Sequence, residues 1–497
     1  MGKEIEDRNK VKFDTELLDN AKKHADLDKD ILQKKETLNS LNIEYDSLSK
    51  KHLTLKKYDQ VIKDLEDAET KYRYEFERQL TIEKETHRLT KLYSEAEDNL
   101  RLKLFELKPF VETINGNNIS TIKKVEMDIS IQSHVTDPTN TNIPFNIINR
   151  IEQSLRVKGR SISPIEIINL IITIQQSFLC FLAGLPGGGK TSLVRLLADV
   201  NGISSKRFLE IPVARGWTGQ KDLIGYFNPI SNRFQTSSTG MYNFISALDK
   251  ESDNNINSAL ALILLDEANL SPIEHYWSSF MGISDDIRTK KSIRLGENLF
   301  TIPENLRFIA TINYDNTTEF LSHRILDRAP VILLDGNQII PSMINDEFQS
   351  LEKIIPMPIS YNSMEQYFGT VDQIPDLTDK EQRIFDQIKS TLEDKTFEYG
   401  KSIQISNRKV IAIHQYCNKA RPLMRTYSDD NDVLALDYAI LQLILPQIRG
   451  NGKNFSNRLL KLKDVLNSHE LNKSVECLET IINNGNADLN TYDFFCW

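Results

Sequence analysis

FLCFLAGLPGGGKTSLVRLLADV, residues 178–200, reads as a buried strand, a glycine-rich turn and a helix in immediate succession. From Gly184 to Thr191 the turn follows the pattern GxxxxGK[ST]. Glycines at such positions let backbone N–H groups close around phosphate oxygens, and the helix N-terminus adds the positive end of its dipole. Lys190 would reach the β/γ-phosphates, and the Thr191 hydroxyl a Mg²⁺ ion. A loop that merely turned the chain would need neither group, nor the apolar Phe181-Leu182-Ala183 directly before it. The stretch predicts a nucleotide-phosphate cradle in an α/β domain.

Two downstream strands complete the expected site. Leu260-Ala-Leu-Ile-Leu-Leu-Asp266-Glu267-Ala268-Asn269 is a six-residue apolar run ending in two carboxylates, about 75 residues after the loop. Such a run suits a strand buried on both faces, with its acids at the sheet edge where ligands bind in open parallel sheets. Asp266 is expected to hold Mg²⁺, directly or through water, and Glu267 to take the proton of the attacking water. Leu306 to Asn313 is a third strand, and Asn313 would sit at the same edge to orient that water or bond the γ-phosphate. Arg324 and Arg328 follow in Phe320-Leu-Ser-His-Arg324-Ile-Leu-Asp327-Arg328-Ala329-Pro330, before a strand over Val331 to Leu334. Arginine suits transition-state charge because its fork stays charged and donates bidentately. Either could serve a neighbouring subunit's nucleotide.

Around this centre the chain punctuates itself. Ser163-Pro164-Ile165-Glu166 is a capping box with proline in the first turn, opening a helix to about Gln176. Thr378 and Glu381 repeat the device, Ser406 caps a helix carrying Arg408 near its start, and Val433 to Leu445 reads as buried helix. An arginine in a first helical turn is misplaced against the dipole unless it meets an anion. Trp217 is equally suited to a binding channel or a core, and the end Phe494-Phe495-Cys496-Trp497 to core or docking.

Residues 1–108 contain no proline and a single glycine, Gly2, and are dense in Lys, Glu, Asp and Leu. Apolar residues at alternating spacings of three and four, as in Leu38, Leu41, Tyr45 and Leu48, predict a coiled coil. It would be on the order of 150 Å long if extended, at ~1.5 Å per residue, or a hairpin folded near Thr37 to Asn42. The expected division is a coiled-coil arm (1–112), a linker (113–144), a nucleotide-binding domain (145–335), a connector and helical lid (336–463) and a C-terminal helical segment (464–497).

The 497 residues carry a formal net charge of -9, which argues against a general nucleic-acid coat but leaves room for a local basic patch. Four cysteines without a CxxC pair suggest neither a zinc site nor a disulfide framework. The charged start MGKEIEDRNKVKFD is unlike a secretory signal, and no apolar run is long enough to span a bilayer. A cytoplasmic protein without membrane contact is expected.

GLPGGGKT, LLDEAN, ATINYD, RILDRAPVI and ISNRKVIAI, in that order, resemble the AAA+ ATPases of the McrB-like branch, related to MoxR and dynein-type modules. GWTGQKDLIGYFNP and ALDYAILQLILPQIRGNG extend the likeness over about residues 145–460. The resemblance implies an αβα sandwich with a parallel sheet and helical lid, and a homo-oligomeric ring, usually a hexamer, with nucleotide between subunits. It assigns Gly184, Pro186, Gly187, Gly188, Gly189, Lys190, Thr191 and Ser192 to the phosphate loop, Thr191 and Asp266 to Mg²⁺, and Glu267 and Asn313 to hydrolysis. Arg328 is favoured over Arg324 as the finger acting in trans, and Arg408 becomes the second nucleotide sensor. McrB-type GTPases carry Asn-Thr-Ala-Asp where this chain reads Asn313-Tyr314-Asp315-Asn316, so ATP is expected, with GTP the alternative. The implied role is to drive or gate an effector, a nuclease in an antiviral restriction system, with DNA as a candidate polymer. The alternatives are a MoxR-like protein remodeller and a coiled-coil scaffold assembled by nucleotide.

Overall fold

Ser163 does what its position promises. In the computed structural model its hydroxyl accepts the Glu166 N–H at 3.2 Å while the Glu166 carboxylate accepts the Ser163 N–H, closing the capping box. The structure describes residues 127–495 apart from 138, 229–232, 253–257, 286–290, 296–297, 314–317, 335–356 and 429–431, together with Thr86. The chain divides into two units, Met1–Asn118 and Ile119–Trp497, and all these residues except Thr86 belong to the second. The coiled coil expected over 1–112 lies outside the described residues.

Helix α1 (Ile143–Val157) precedes the capped helix α2 (Pro164–Gln176). Every residue of α2 from Ile167 to Gln175 is buried, as expected of a helix apolar on all sides, and it leads into strand β1 (Leu179–Ala183). Helix α3 (Lys190–Val200) follows the glycine-rich turn. Then come β2 (Phe208–Pro212), a short helix α4 (Gln220–Leu223), a hairpin of β3 (Gly225–Asn228) and β4 (Arg233–Thr236), and α5 (Met241–Ser252). Strand β5 (Ala261–Asp266), short helices α6 (Ile273–Tyr276) and α7 (Ser278–Met281), and a second hairpin of β6 (Lys291–Leu295) and β7 (Asn298–Ile302) lead to β8 (Leu306–Ile312), α8 (His323–Leu326) and β9 (Val331–Leu333).

The core sheet is five-stranded in the order β2-β5-β8-β1-β9, with every neighbouring pair parallel. β1 and β8 are buried throughout, which is why they read as continuous apolar runs. Leu182 pairs with Thr311 and Pro212 with Asp266, so the turn after β1 and the carboxylates after β5 emerge at one edge. Helices stand against this sheet in a mixed α/β architecture.

The remaining helices are α9 (Tyr361–Phe368), α10 (Asp379–Glu393), α11 (Asn407–Met424), α12 (Leu434–Leu443), α13 (Lys453–Ser468) and α14 (Asn472–Ala487). Strands β10 (Arg449–Asn451) and β11 (Thr491–Asp493) pair antiparallel and tie the end of the described chain to the start of α13. Buried polar groups fasten these helices. Arg458, fully buried on α13, donates to the carbonyls of Thr391, Leu392 and Asp394, where α10 ends and its orphan carbonyls need partners, and to those of Tyr399 and Gly400 in the turn that follows. Asp437 of α12 accepts the N–H groups of Lys473 and Ser474 in the first turn of α14.

Two expected boundaries fall inside helices. Pro144, placed in the linker, sits in the first turn of α1, where its missing N–H costs nothing. The 463/464 division cuts α13, and the last segment holds the end of α13, α14 and a strand. Residues 216–228 contain α4 and β3, and Trp217 packs edge-on against Tyr276 at 5.2 Å.

Lys409 of α11 is fully enclosed, near Asp327, and burial pulls its ammonium down to about 7. Between pH 7 and 10.5 the unfolded chain binds a proton that the folded chain does not, so stability is lost as pH falls across that window and levels off below it. Lys409→Met is expected to raise the melting temperature at pH 7, with the advantage shrinking toward pH 10. Paired thermal melts at the two pH values check this, and an advantage that does not depend on pH contradicts it.

Candidate nucleotide site

The glycines of the turn are required sterically. A Cβ on Gly184 would lie 2.8 Å from the Leu334 carbonyl oxygen, and Gly189, the residue before α3, has φ 72°, a left-handed conformation that glycine adopts without cost. Lys190 is buried and folds back on its own turn, donating to the carbonyls of Gly184 and Leu185 at 2.9 Å each. Burial lowers its pKa, opposed by the charges of Asp266 and Glu267.

One oxygen of Asp266 joins two strands and a helix. It accepts the Thr191 hydroxyl at 2.5 Å and the Thr311 hydroxyl at 2.7 Å, linking the start of α3, the end of β5 and the intervening β8. Thr311 Oγ1 in turn accepts the Glu267 N–H at 2.9 Å. Glu267 is exposed and has φ 53° and ψ 47°, a left-handed backbone that costs a non-glycine residue about 1–3 kcal/mol. That conformation ends β5 and turns the Glu267 carboxylate toward Asn313, whose Nδ2 lies 3.5 Å from Oε1. The Asn313 backbone is clamped by Asn269, which donates to the Asn313 carbonyl at 2.6 Å and accepts its N–H at 3.3 Å. The Asn313 side-chain oxygen is buried without a hydrogen-bond partner among the described residues.

Gly184 through Ser192, Asp266, Glu267 and Asn313 are thus brought to one sheet edge. Arg324, Arg328 and Arg408 are not part of that group. They line an open depression of about 500 Å³ together with His323, Lys401 and Arg449, and Asp327 is the one acid on its wall among the described residues. Asp327 pairs with Arg408 and accepts the Ser406 hydroxyl at 2.5 Å, while Arg328 donates to the Arg324 carbonyl at 2.8 Å. Arg408 also lines a cavity beside Ser177 and Phe178, at the end of β1 opposite the phosphate loop. The anion expected for Arg408 in the first turn of α11 is, within this chain, Asp327.

Beside the loop lies a cavity of about 180 Å³ between the sheet domain and the helices after it. Ile162, Leu193, Leu334, Tyr438, Leu441 and Cys477 supply apolar wall, with Glu166, Gln442, Lys473 and Thr480 among its polar groups. Burial raises the Cys477 thiol to about 12, leaving it inert as a nucleophile.

Sequence reasoning missed Thr311, Asn269 and the cavity. Thr311 carried a signal, a hydroxyl in an otherwise apolar buried strand, and Asn269 stood inside the quoted LLDEAN string. The cavity carried none, because its walls come from segments up to about 300 residues apart.

The parallel sheet thus sets a glycine-rich loop, its lysine and threonine, and a strand-end carboxylate pair at one edge. Residues 351–490, which include α9 to α14, match the family described as "Domain of unknown function (DUF8727)". Among solved structures the chain is similar to that of a candidate ATPase from Cytophaga hutchinsonii, at 18% identity, with 57% of this chain and 82% of that chain covered and a TM-score of 0.38. No curated protein matches the chain.

Proposed function

We propose that the chain is a Mg²⁺-dependent nucleoside triphosphate hydrolase of the AAA+ kind, using ATP in preference to GTP and acting as a ring of copies. The observation that carries this reading is the Asp266 oxygen shared by Thr191 and Thr311, which places a carboxylate of β5 against the hydroxyl that ends the phosphate loop. Two oxygen donors of that kind suit Mg²⁺, and Thr191 and Asp266 would hold it; when bound, it neutralises charge on the phosphate oxygens. Lys190 exchanges its two loop carbonyls for phosphate oxygens. Glu267 accepts the proton of the attacking water, and Asn313, with its unpartnered oxygen, orients that water. The cavity lined by Leu193, Leu334 and Tyr438 takes the base.

Crowded like charges around Arg324, Arg328 and Arg408 suit the polyphosphate of a neighbouring copy. Arg328 is the favoured finger, and Arg408 works beside it on the same neighbour. Arg328→Ala is expected to lose hydrolysis at least about 1,000-fold, the lower end of the range for arginine fingers. Mixing it with Lys190→Ala subunits should restore part of the activity, because each then supplies what the other lacks. Absence of recovery at every mixing ratio rejects action in trans.

By resemblance, the ring drives or switches an effector, a nuclease of a cytoplasmic antiviral restriction system, with DNA as the stimulating polymer. A second reading, a remodeller of protein clients, is favoured by the β3–β4 hairpin, where Tyr226 and Phe227 stand 46% and 39% exposed. Among the described residues no helix is long and apolar enough to cross a membrane. Turnover of ATP and of GTP, each with and without double-stranded DNA, tests these readings. Preference for ATP and stimulation by DNA are expected. Turnover indifferent to DNA moves the reading to a protein client, and no turnover of either nucleotide rejects the hydrolase.

A further inference from the structure

Arg160 stands apart from the other deeply buried arginines of the described chain. Arg207 forks onto Glu251 at 2.8 and 2.9 Å and donates to two carbonyls, while Arg307 and Arg458 are each surrounded by carbonyl acceptors. Arg160 is 4% exposed, yet among the described residues its guanidinium makes one bond, from Nη2 to the Gly188 carbonyl at 3.1 Å. Its Nε is buried with no partner, and no carboxylate among the described residues pairs with it. Burial alone pulls its pKa below the ordinary guanidinium value. A buried charge with so few partners is costly, and such sites are completed by a counter-ion or ligand.

The position is fixed by the backbone. Gly159 has φ 79° just past α1; its N–H reaches the Arg156 carbonyl at 3.0 Å and the Arg160 N–H reaches that of Leu155 at 2.9 Å, the paired bonds of a glycine-terminated helix. Lys158 on the same turn pairs with Asp199 of α3. The turn is therefore held against the helix that begins at the phosphate loop. There the Arg160 side chain fills the space beside Gly189, where a Cβ would lie 2.2 Å from Nη1.

We infer that Arg160 is an anion-binding residue of the phosphate site, a cation brought from outside the loop motif whose missing partner is the phosphate chain of a nucleoside di- or triphosphate. The inference rests on the reading of Gly184–Thr191 as a nucleotide site. In the ligand-free protein the guanidinium is an uncompensated charge; in the complex it faces several negative oxygens in a poorly screened setting, where charge-assisted bonds are strongest. It thereby ties the segment before α2 to nucleotide occupancy.

The test compares full-length wild type, Arg160→Met, Arg160→Lys and Lys190→Ala for equilibrium binding of ATP and ADP and for ligand-free melting temperature. Arg160→Met is expected to weaken ATP binding at least about tenfold, the scale of one lost charged hydrogen bond, without lowering the ligand-free melting temperature. Arg160→Lys, which keeps the charge, should recover part of the affinity. Unchanged ATP and ADP affinity in Arg160→Met overturns the inference. So does a ligand-free melting temperature that falls equally in the Met and Lys variants, which would make Arg160 a buttress of the Gly188 carbonyl. If wild type binds neither nucleotide, or Lys190→Ala binds as wild type does, the failure lies in the nucleotide-site reading itself.

Discussion

Glutamine at position 267 is expected to slow nucleotide turnover by about 100-fold or more, the scale set by removal of a general base, while nucleotide remains bound. The substitution is nearly isosteric, and the features that place residue 267 do not depend on its charge. Its N–H is held by Thr311 Oγ1 and its backbone is fixed in the left-handed region. What glutamine removes is the proton acceptor 3.5 Å from the Asn313 amide. Steady-state turnover should collapse, and the protein should emerge from gel filtration carrying nucleotide that the wild type has converted and released. Wild-type turnover in this variant removes Glu267 as the base and leaves its exposed, strained position without a catalytic account.

Lys190→Ala is expected to lose nucleotide affinity by a larger factor than any other single change at the loop. The Lys190 ammonium is buried between two loop carbonyls and under two carboxylates, so it is already desolvated where phosphate must enter. Alanine removes the ammonium that offsets Asp266 and Glu267 at that edge, and an incoming polyphosphate then meets stronger repulsion from them. Equilibrium titration with ATP should show at least about a 100-fold loss, the equivalent of about 3 kcal/mol. The ligand-free fold should survive, since the sheet and the turn glycines are untouched. Affinity within a few-fold of wild type contradicts the phosphate-loop assignment.

Much of the sheet edge was legible because its signals are local. A strand buried on both faces must be apolar along its length, so β1, β5 and β8 declared themselves, and each polar residue at a strand end marked the edge where chemistry collects. The capping boxes at Ser163 and Thr378 were equally readable, being contacts between residues three apart. The two hairpins were not. Their strands are four or five residues long, and β3 opens on Gly225, whose backbone lies so close to Gln235 that a Cβ would meet its carbonyl oxygen at 2.2 Å. The partner of Arg408 was hidden for another reason. Helix-dipole reasoning asked for an anion, and the fold supplied Asp327 from a short helix 81 residues away. Arg160 escaped because an isolated arginine in a turn has no pattern; only its burial beside Gly189 gives it meaning.

Arg458 bears on how the helices after the sheet are held together. One guanidinium on α13 gathers five carbonyls, three at the end of α10 and two from the turn that follows it, and Asp437 couples α12 to the first turn of α14. Within each pair, one helix slides past the other only by stripping a buried charge of its bonds, which is costly. The second pair, through Tyr438 and Cys477, forms a wall of the cavity beside the phosphate loop, and another stretch of the same region carries Lys401 and Arg449 to the cationic depression. The wall of the cavity and the wall of the cationic depression are thus built on segments that buried charges fasten together.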